Sequence, residues 1–323
     1  MRARWLWGAC CLLGLASPAM AQEMDARHWL ERMVSAAHKL SYSGTFVFQN
    51  AALSETSRIV HRVDAGRERE RIEVLDGSAR EVIRSNDEVK CYLPDSHTLI
   101  IEKRSQQRSF PALSQIALAS LGEYYIVRTG PTGRVADRET QVIMLDPKDE
   151  LRYGRQYWAD VRSGLLLKSA LLNERGEAIE SFAFTQLLIG GNIPAEALQS
   201  RYAAEGGNWT VRNVQATRSR AEDAAWLFKV QLPGFTKRAG MLRAARDDQP
   251  ESMHFLFSDG LATISVFIES LGGNPPYNDV GMLAMGATNV YRRILGDYLL
   301  VLMGEVPQAT LKRFGDGIEA RKK

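Results

Sequence analysis

Five histidines, a single cysteine beyond residue 21 and a large stock of carboxylates are the side chains with the reactivity for catalysis or metal binding. His28, His38, His61, His97 and His254 are scattered, and none stands at ligand spacing with another His, a Cys or an acid. Cys91 lies in Glu88–Pro94, which reads as a strand, where a lone Cys is usually a small packing residue. It has no second Cys to resolve an oxidised sulfur. The sequence holds no G-x-S-x-G elbow and no phosphate-cradling glycine loop; Phe314-Gly315-Asp316-Gly317 reads as helix termination. Asn208-Trp209-Thr210 fits the glycosylation sequon only formally. Carboxylates are plentiful, but nothing in their spacing pairs them for acid/base work. The pattern points away from an enzyme, a metal centre or a bound cofactor, and toward a binding or regulatory module.

Residues 1–21 read as a secretory signal. Arg2 and Arg4 form the charged start, Trp5–Ala16 the apolar run, Pro18 the break and Ala19-Met20-Ala21 the cleavage site before Gln22. The apolar run is too short to span a bilayer. Cleavage removes two of the 41 Lys and Arg, which leaves a balance of +1 against 38 Asp and Glu. So near-neutral a chain argues against a nucleic-acid partner. Two of the three Cys also leave, so the exported protein has no internal disulfide and must be held by packing. No later segment has 18 consecutive apolar residues, so a soluble exported product is expected.

The elements that position everything else are strands. Gln156–Gln186 reads as an antiparallel meander, with turns at Val161-Arg162-Ser163-Gly164 and Asn173-Glu174-Arg175-Gly176 whose glycines supply a positive φ. Upstream, Asp25 is a candidate N-cap for a helix through Leu40, with Ala26, Leu30, Met33, Ala37 and Leu40 on one face. Strands are expected at Tyr42–Gln49, Ser57–Val63, Arg69–Leu75, Arg80–Arg84, Glu88–Leu93 and Thr98–Lys103, with Asp76-Gly77 marking a hairpin. The alternating run Arg67–Arg71 reads as a solvated strand end. A short apolar helix from Pro111 precedes further strands at Tyr124–Arg128 and Arg138–Leu145. So many strands against two modest helices must curl, and the concave face needs filling; incomplete filling would leave a lipid-sized hollow.

From Gly190 glycine pairs and the polar run Asn213–Asp223 suggest a boundary, set as a linker over 201–224 between a large domain at 22–200 and a small one at 225–318. The small domain is expected to hold four or five strands and one helix. These include the hairpin Met253–Phe257/Leu261–Ile268 around Ser258-Asp259-Gly260, the pair Ala287–Ile294/Tyr298–Met303, and a helix opening at Pro307.

Glu70-Arg71-Ile72-Glu73-Val74-Leu75-Asp76-Gly77-Ser78-Ala79-Arg80-Glu81-Val82-Ile83-Arg84 resembles the hairpin of the RseB/MucB family of periplasmic sigma-E regulators. Cys91–Pro94, Arg134–Arg138, Tyr157-Trp158 through Leu166, and Leu171 to Glu177 are similar to that family in the same order. So are Leu232-Pro233-Gly234-Phe235, Ser258-Asp259-Gly260 and Gly304–Pro307 with the following helix. The resemblance implies an α+β chain: a large unclosed antiparallel β-barrel like that of the lipoprotein carriers LolA and LolB, helices on its concave side, and a small C-terminal α+β domain. It implies a soluble periplasmic protein that binds the periplasmic part of a membrane-spanning anti-sigma factor, shields it from regulated proteolysis, and lets go when lipopolysaccharide or a mislocalised lipoprotein fills the large domain. Phe46, Phe48, Met144, Phe182 and Phe184 are then candidates for the lipid-facing wall, with ordinary core packing as the competing account. Phe235, Ser258, Asp259 and Gly260 are candidates for anti-sigma contact, and turn chemistry explains Asp259-Gly260 equally well. A lipid or lipoprotein carrier without a regulatory role is the alternative, and homo-oligomerisation is left open.

Overall fold

The computed structural model describes residues 18–85, 88–103, 115–203, 208–214, 217–218, 225–243, 252–272 and 280–321. Helix α1 spans Pro18–Lys39, so it begins well before the expected cap at Asp25. The reason is local: residues 19–24 are mostly strong helix formers with no breaker, and Pro is accepted in a first turn. Six strands follow as hairpins: β1 Tyr42–Asn50, β2 Ser54–Asp64, β3 Arg67–Val74, β4 Glu81–Ser85, β5 Glu88–Leu93 and β6 Thr98–Lys103. Helix α2 is Gln115–Tyr124; the expected start at Pro111 lies outside the described residues. A second run comprises β7 Tyr125–Val135, β8 Arg138–Pro147, β9 Gly154–Asp160, β10 Leu166–Leu172 and β11 Ala178–Ile189.

The expected meander is there, and its turns have a stated chemistry. The Asp160 carboxylate accepts hydrogen bonds from the Ser163 amide and hydroxyl, and Gly164 takes φ +78°. Asn173 does the same for the amides of Arg175 and Glu177, with Gly176 at +77°. These runs form one 12-stranded sheet in the order β12-β6-β5-β4-β3-β2-β1-β11-β10-β9-β8-β7, where β12 is Thr210–Val214. Strand β12 pairs with β6 in parallel; every other neighbour pair is antiparallel. The two runs of hairpins join only along β1 and β11, where a bulge at Thr45/Phe46 bends the ladder. A Cβ on Gly44 beside that bulge would run into the Gln186 carbonyl oxygen and the Phe184 ring.

The sheet is curled and unclosed, and α1 lies along its concave side. Ala26, Leu30, Met33 and Val34 pack on Ile143, Leu145, Tyr157, Ala159 and Leu166, with Leu121 of α2 and Tyr125 and Val127 of β7 completing the cluster. Ala26, Leu30, Met33 and Ala37, expected on one face of the helix, are all fully buried or nearly so. The predicted linker is structured in part. Besides β12, it holds β13 Thr217–Arg218, which pairs with a strand of the small domain. A polar composition suits an edge strand as well as it suits a loop, and so gave no sign of this.

The small domain has more strands than expected. Strands β14 Trp226–Phe228, β15 Thr236–Arg243, β16 Ser252–Ser258, β17 Thr263–Ser270, β18 Gly281–Met285, β19 Thr288–Leu295 and β20 Tyr298–Gly304 precede helix α3 Gln308–Asp316 and β21 Ile318–Ala320. Seven strands form a sheet ordered β13-β15-β16-β17-β20-β19-β18, while β14 pairs with β21. Its core gathers Phe255, Phe257, Ile264, Leu300, Leu302 and Phe314 under α3. Strand β15 was missed because its charged and small residues, Thr-Lys-Arg-Ala-Gly, carry no alternation of apolar and polar.

Candidate functional site: an aromatic trough that meets an inter-domain seam

Strand register brings four of the five wall candidates together. Phe46 lies opposite Phe184 and Phe48 opposite Phe182 across β1 and β11. The rings of Phe46, Phe182 and Phe184 sit 4.8–6.1 Å apart between centroids, and Tyr42 meets Phe184 edge-on at 6.2 Å. Ala36 and Leu40 at the C-terminal end of α1 pack into the same cluster, so these rings line the concave face and close upon themselves. Met144 is placed elsewhere. Its neighbours Ile143 and Leu145 face α1, and alternation turns Met144 to the opposite face, toward Gly130. Beyond Ile59 and Ile72, which pack with these rings, the concave face of β2, β3 and β4 turns polar: His61 and Glu70 are buried there, His38 bonds Glu68, and Arg84 bonds Glu70.

The other candidates converge where the two domains touch. Arg152, on the loop between β8 and β9, has a fully buried side chain that crosses to the small domain. Its guanidinium donates to Asp259 at 2.5 Å and to the Pro233 carbonyl at 2.6 Å, and is held from its own side by Asp149. Tyr124 and Phe235 stack on it at 4.8 and 5.0 Å. Gly234, at φ +84°, lets the backbone pass the Tyr124 ring, which a Cβ would meet at 2.9 Å. Asp259 divides its oxygens between two tasks. Oδ1 accepts the amides of Leu261 and Ala262, making the hairpin turn; Oδ2 accepts Arg152 and the Tyr125 hydroxyl, making the seam. Ser258 closes the same turn through Ala262 O and Gly260 N. Phe235, Ser258 and Asp259 are therefore buried between or beneath the domains.

The seam continues past this ion pair. Arg155 donates to the Leu261 carbonyl and to Glu305, Asn289 donates to Tyr153, and Thr310 donates to the Leu151 carbonyl. At its far end Gly286 of the small domain abuts the Asn50 side chain, which bonds Glu180 of β11. Glu180 is two residues along β11 from Phe182, on the same face, so the aromatic wall and the seam share one strand. No signal in the sequence foretold this seam, because Arg152, Arg155 and Tyr153 stand in or beside a loop that reads as an ordinary connection.

Burial, reinforced by Glu305 and opposed by Arg155 and Asn50, pushes the Glu180 carboxyl up from its ordinary value to about 7. A raised carboxyl pKa means that the folded, docked state binds the proton more tightly than the unfolded one. The stability it contributes is complete below the ordinary carboxylate range and is lost as pH rises through about 7. Glu180→Gln is expected to remove this pH dependence. A melting temperature that falls by roughly 2–4 °C between pH 5.5 and 8 in the parent should become nearly flat in the variant, allowing for solvent screening of a half-buried group. Equal pH slopes in the two melting series would reject the assignment.

Among the described residues no group of three or more His, Cys, Asp or Glu is arranged to hold a metal ion, and no helix is long and apolar enough to cross a membrane. Cys91 is half-buried, and burial raises its thiol pKa against the pull of Arg80, the reverse of what a reactive thiolate needs. What the fold does offer is a two-domain binding scaffold: a half-barrel with an aromatic trough, capped at one end by a docked module. The chain belongs to the MucB/RseB family: its N-terminal domain matches residues 25–202 and its C-terminal domain residues 220–319. The Pseudomonas aeruginosa sigma factor AlgU regulatory protein MucB is 33% identical over 309 residues, covering 94% of this chain and 93% of the relative. The Escherichia coli K12 sigma-E factor regulatory protein RseB is 26% identical over 293 residues, covering 90% and 89%. A solved structure of the Pseudomonas aeruginosa MucA/MucB complex superposes with TM-score 0.73 at 30% identity, over 93% of this chain and all of the other.

Proposed function

We propose that this chain is a periplasmic negative regulator of a sigma-E-type envelope stress response. It binds the periplasmic region of a membrane-spanning anti-sigma factor and protects it from regulated proteolysis, and lipopolysaccharide or a mislocalised lipoprotein releases it. The family supports the partner, since a relative of the same two-domain architecture has been solved as a MucA/MucB complex. The observation that carries the mechanism is β11. One strand presents Phe182 and Phe184 to the trough and Glu180 to the seam, so an acyl chain that parts the rings must disturb the strand on which the small domain rests. For release, the amphiphile must bind the undocked or shifted state more tightly than the docked one; equal affinity would shift nothing. In this reading Phe235, Ser258, Asp259 and Gly260 act on the anti-sigma factor by holding the domains in the arrangement that grips it.

The protein lacking residues 1–21 should slow cleavage of the anti-sigma periplasmic segment by the first regulated protease, and added lipopolysaccharide should restore the rate. An unchanged cleavage rate at saturating protein would sink the regulator reading. A plain lipid carrier, which has no use for the second domain, should bind amphiphile and leave proteolysis untouched.

A further inference from the structure

The run Arg67-Glu68-Arg69 lies at a hairpin whose geometry is costly as it stands. Strands β2 and β3 are joined by the two-residue turn Ala65-Gly66, with φ of 48° and 75°. Such a turn, with both residues at positive φ, sets the pairing register of the strands it joins. That register places Arg62 directly opposite Arg69 and Asp64 opposite Arg67. Like charges directly across an antiparallel pair destabilise it. All four side chains share the convex face, because His61 and Glu70, opposite one another and next in sequence to Arg62 and Arg69, are buried on the concave one.

These side chains line a cavity of about 290 Å³ with Ala65 and Ala195. Its far wall is the segment leading into the 3-10 turn Ala195–Leu198, which packs on the outside of β2 and β3 through buried Leu198. Arg62 is held in place: one guanidinium nitrogen donates to the Ile193 carbonyl at 3.1 Å and another to Asp64 at 2.9 Å. Arg67 and Arg69 are exposed, and among the described residues neither guanidinium has a hydrogen-bond or ion-pair partner. Three guanidinium groups thus face one cavity with a single carboxylate, itself 69% exposed, to offset them.

We infer that this convex cavity is a binding site for a phosphate-type oxyanion, either free or as the phosphomonoester of a lipid headgroup. Guanidinium forks match phosphate oxygens in pairs, and the anion would sit between Arg62 and Arg69, turning a repulsive cross-strand pair into two charge-assisted contacts. The site is on the outer face of the sheet, so it is separate from the aromatic trough and does not rest on the proposed regulatory role.

The test is titration of the protein lacking residues 1–21 with inorganic phosphate at low ionic strength, by calorimetry, against chloride at matched ionic strength. Arg69→Thr should weaken phosphate binding roughly tenfold. In phosphate-free buffer the same variant should melt no lower than the parent, because it relieves the like-charge pair. A second arm uses phosphatidylcholine vesicles with and without phosphatidic acid. Selective binding to the doped vesicles, lost in Arg69→Thr, identifies a lipid headgroup; phosphate binding without vesicle binding identifies a free anion. Phosphate taken up no better than chloride, or bound equally by Arg69→Thr, overturns the assignment.

Discussion

Asp259→Ala should separate the two domains thermodynamically. The change strands Arg152, whose side chain is fully buried, with only Asp149 and a carbonyl for company, and removes the acceptor for two hairpin amides. Breaking a buried pair from one side costs about 3–5 kcal/mol, because the remaining charge stays dehydrated. Calorimetry should show one transition in the parent resolve into two, with the small domain melting first, and proteases should gain access to the 201–224 segment. Replacing both partners, as Arg152→Met with Asp259→Ala, should cost less than the sum of the two single changes, since no charge is then left unpaired. Simple additivity, or a single transition at the parent's temperature, would show that the ion pair does not couple the domains. If coupling is lost as expected, the variant should protect the anti-sigma segment poorly even without lipid, because undocking is the step the amphiphile is proposed to drive.

Phe184→Ala should lower stability by about 3–4 kcal/mol, read from denaturant midpoints, and yet raise affinity for an acyl amphiphile such as dodecyl maltoside. The ring is 4% exposed and touches Tyr42, Phe46 and Phe182, so its removal leaves an apolar void that the parent fills itself. Engineered apolar voids of this kind stay dry and take up apolar ligands. An acyl chain entering the parent must displace the ring; in the variant the space is already there. Loss of amphiphile affinity in parallel with stability would mean that Phe184 is a wall the lipid touches rather than a plug it moves.

The rings proposed for the lipid wall pack as a core, with Phe46, Phe182 and Phe184 closing on one another. Period-two alternation was enough to place Phe46 and Phe48 on a common face, and likewise Phe182 and Phe184. It was not enough to show that these pairs are cross-strand neighbours, since β1 and β11 lie at opposite ends of the large domain's sequence. Met144 stands in a run apolar on both sides, where the sequence pattern assigns no face; the packing of Ile143 and Leu145 on α1 puts it on the other one. The hairpins were legible because Asp-Gly and x-Gly turns carry their own φ requirement, as Gly77 and Gly164 show at +70° and +78°. Asp259 shows the limit of that logic. Turn chemistry accounts for one carboxylate oxygen completely, and nothing local announces that the other reaches Arg152 in a different domain.

The ladder between β1 and β11 also has a temporal meaning. Each run of hairpins closes through short loops, whereas joining them requires the chain ends of the large domain to find one another, an entropic delay that neighbouring contacts cannot shorten. Until Ile189 has emerged, β1 and β10 each expose an open flank with unsatisfied amides, Phe46 included, and Cys91, the one cysteine among the described residues, is free and ties neither half to the other. A newly made molecule should therefore spend its most vulnerable moments as two half-sheets awaiting a common seamstress, and β11 is that strand.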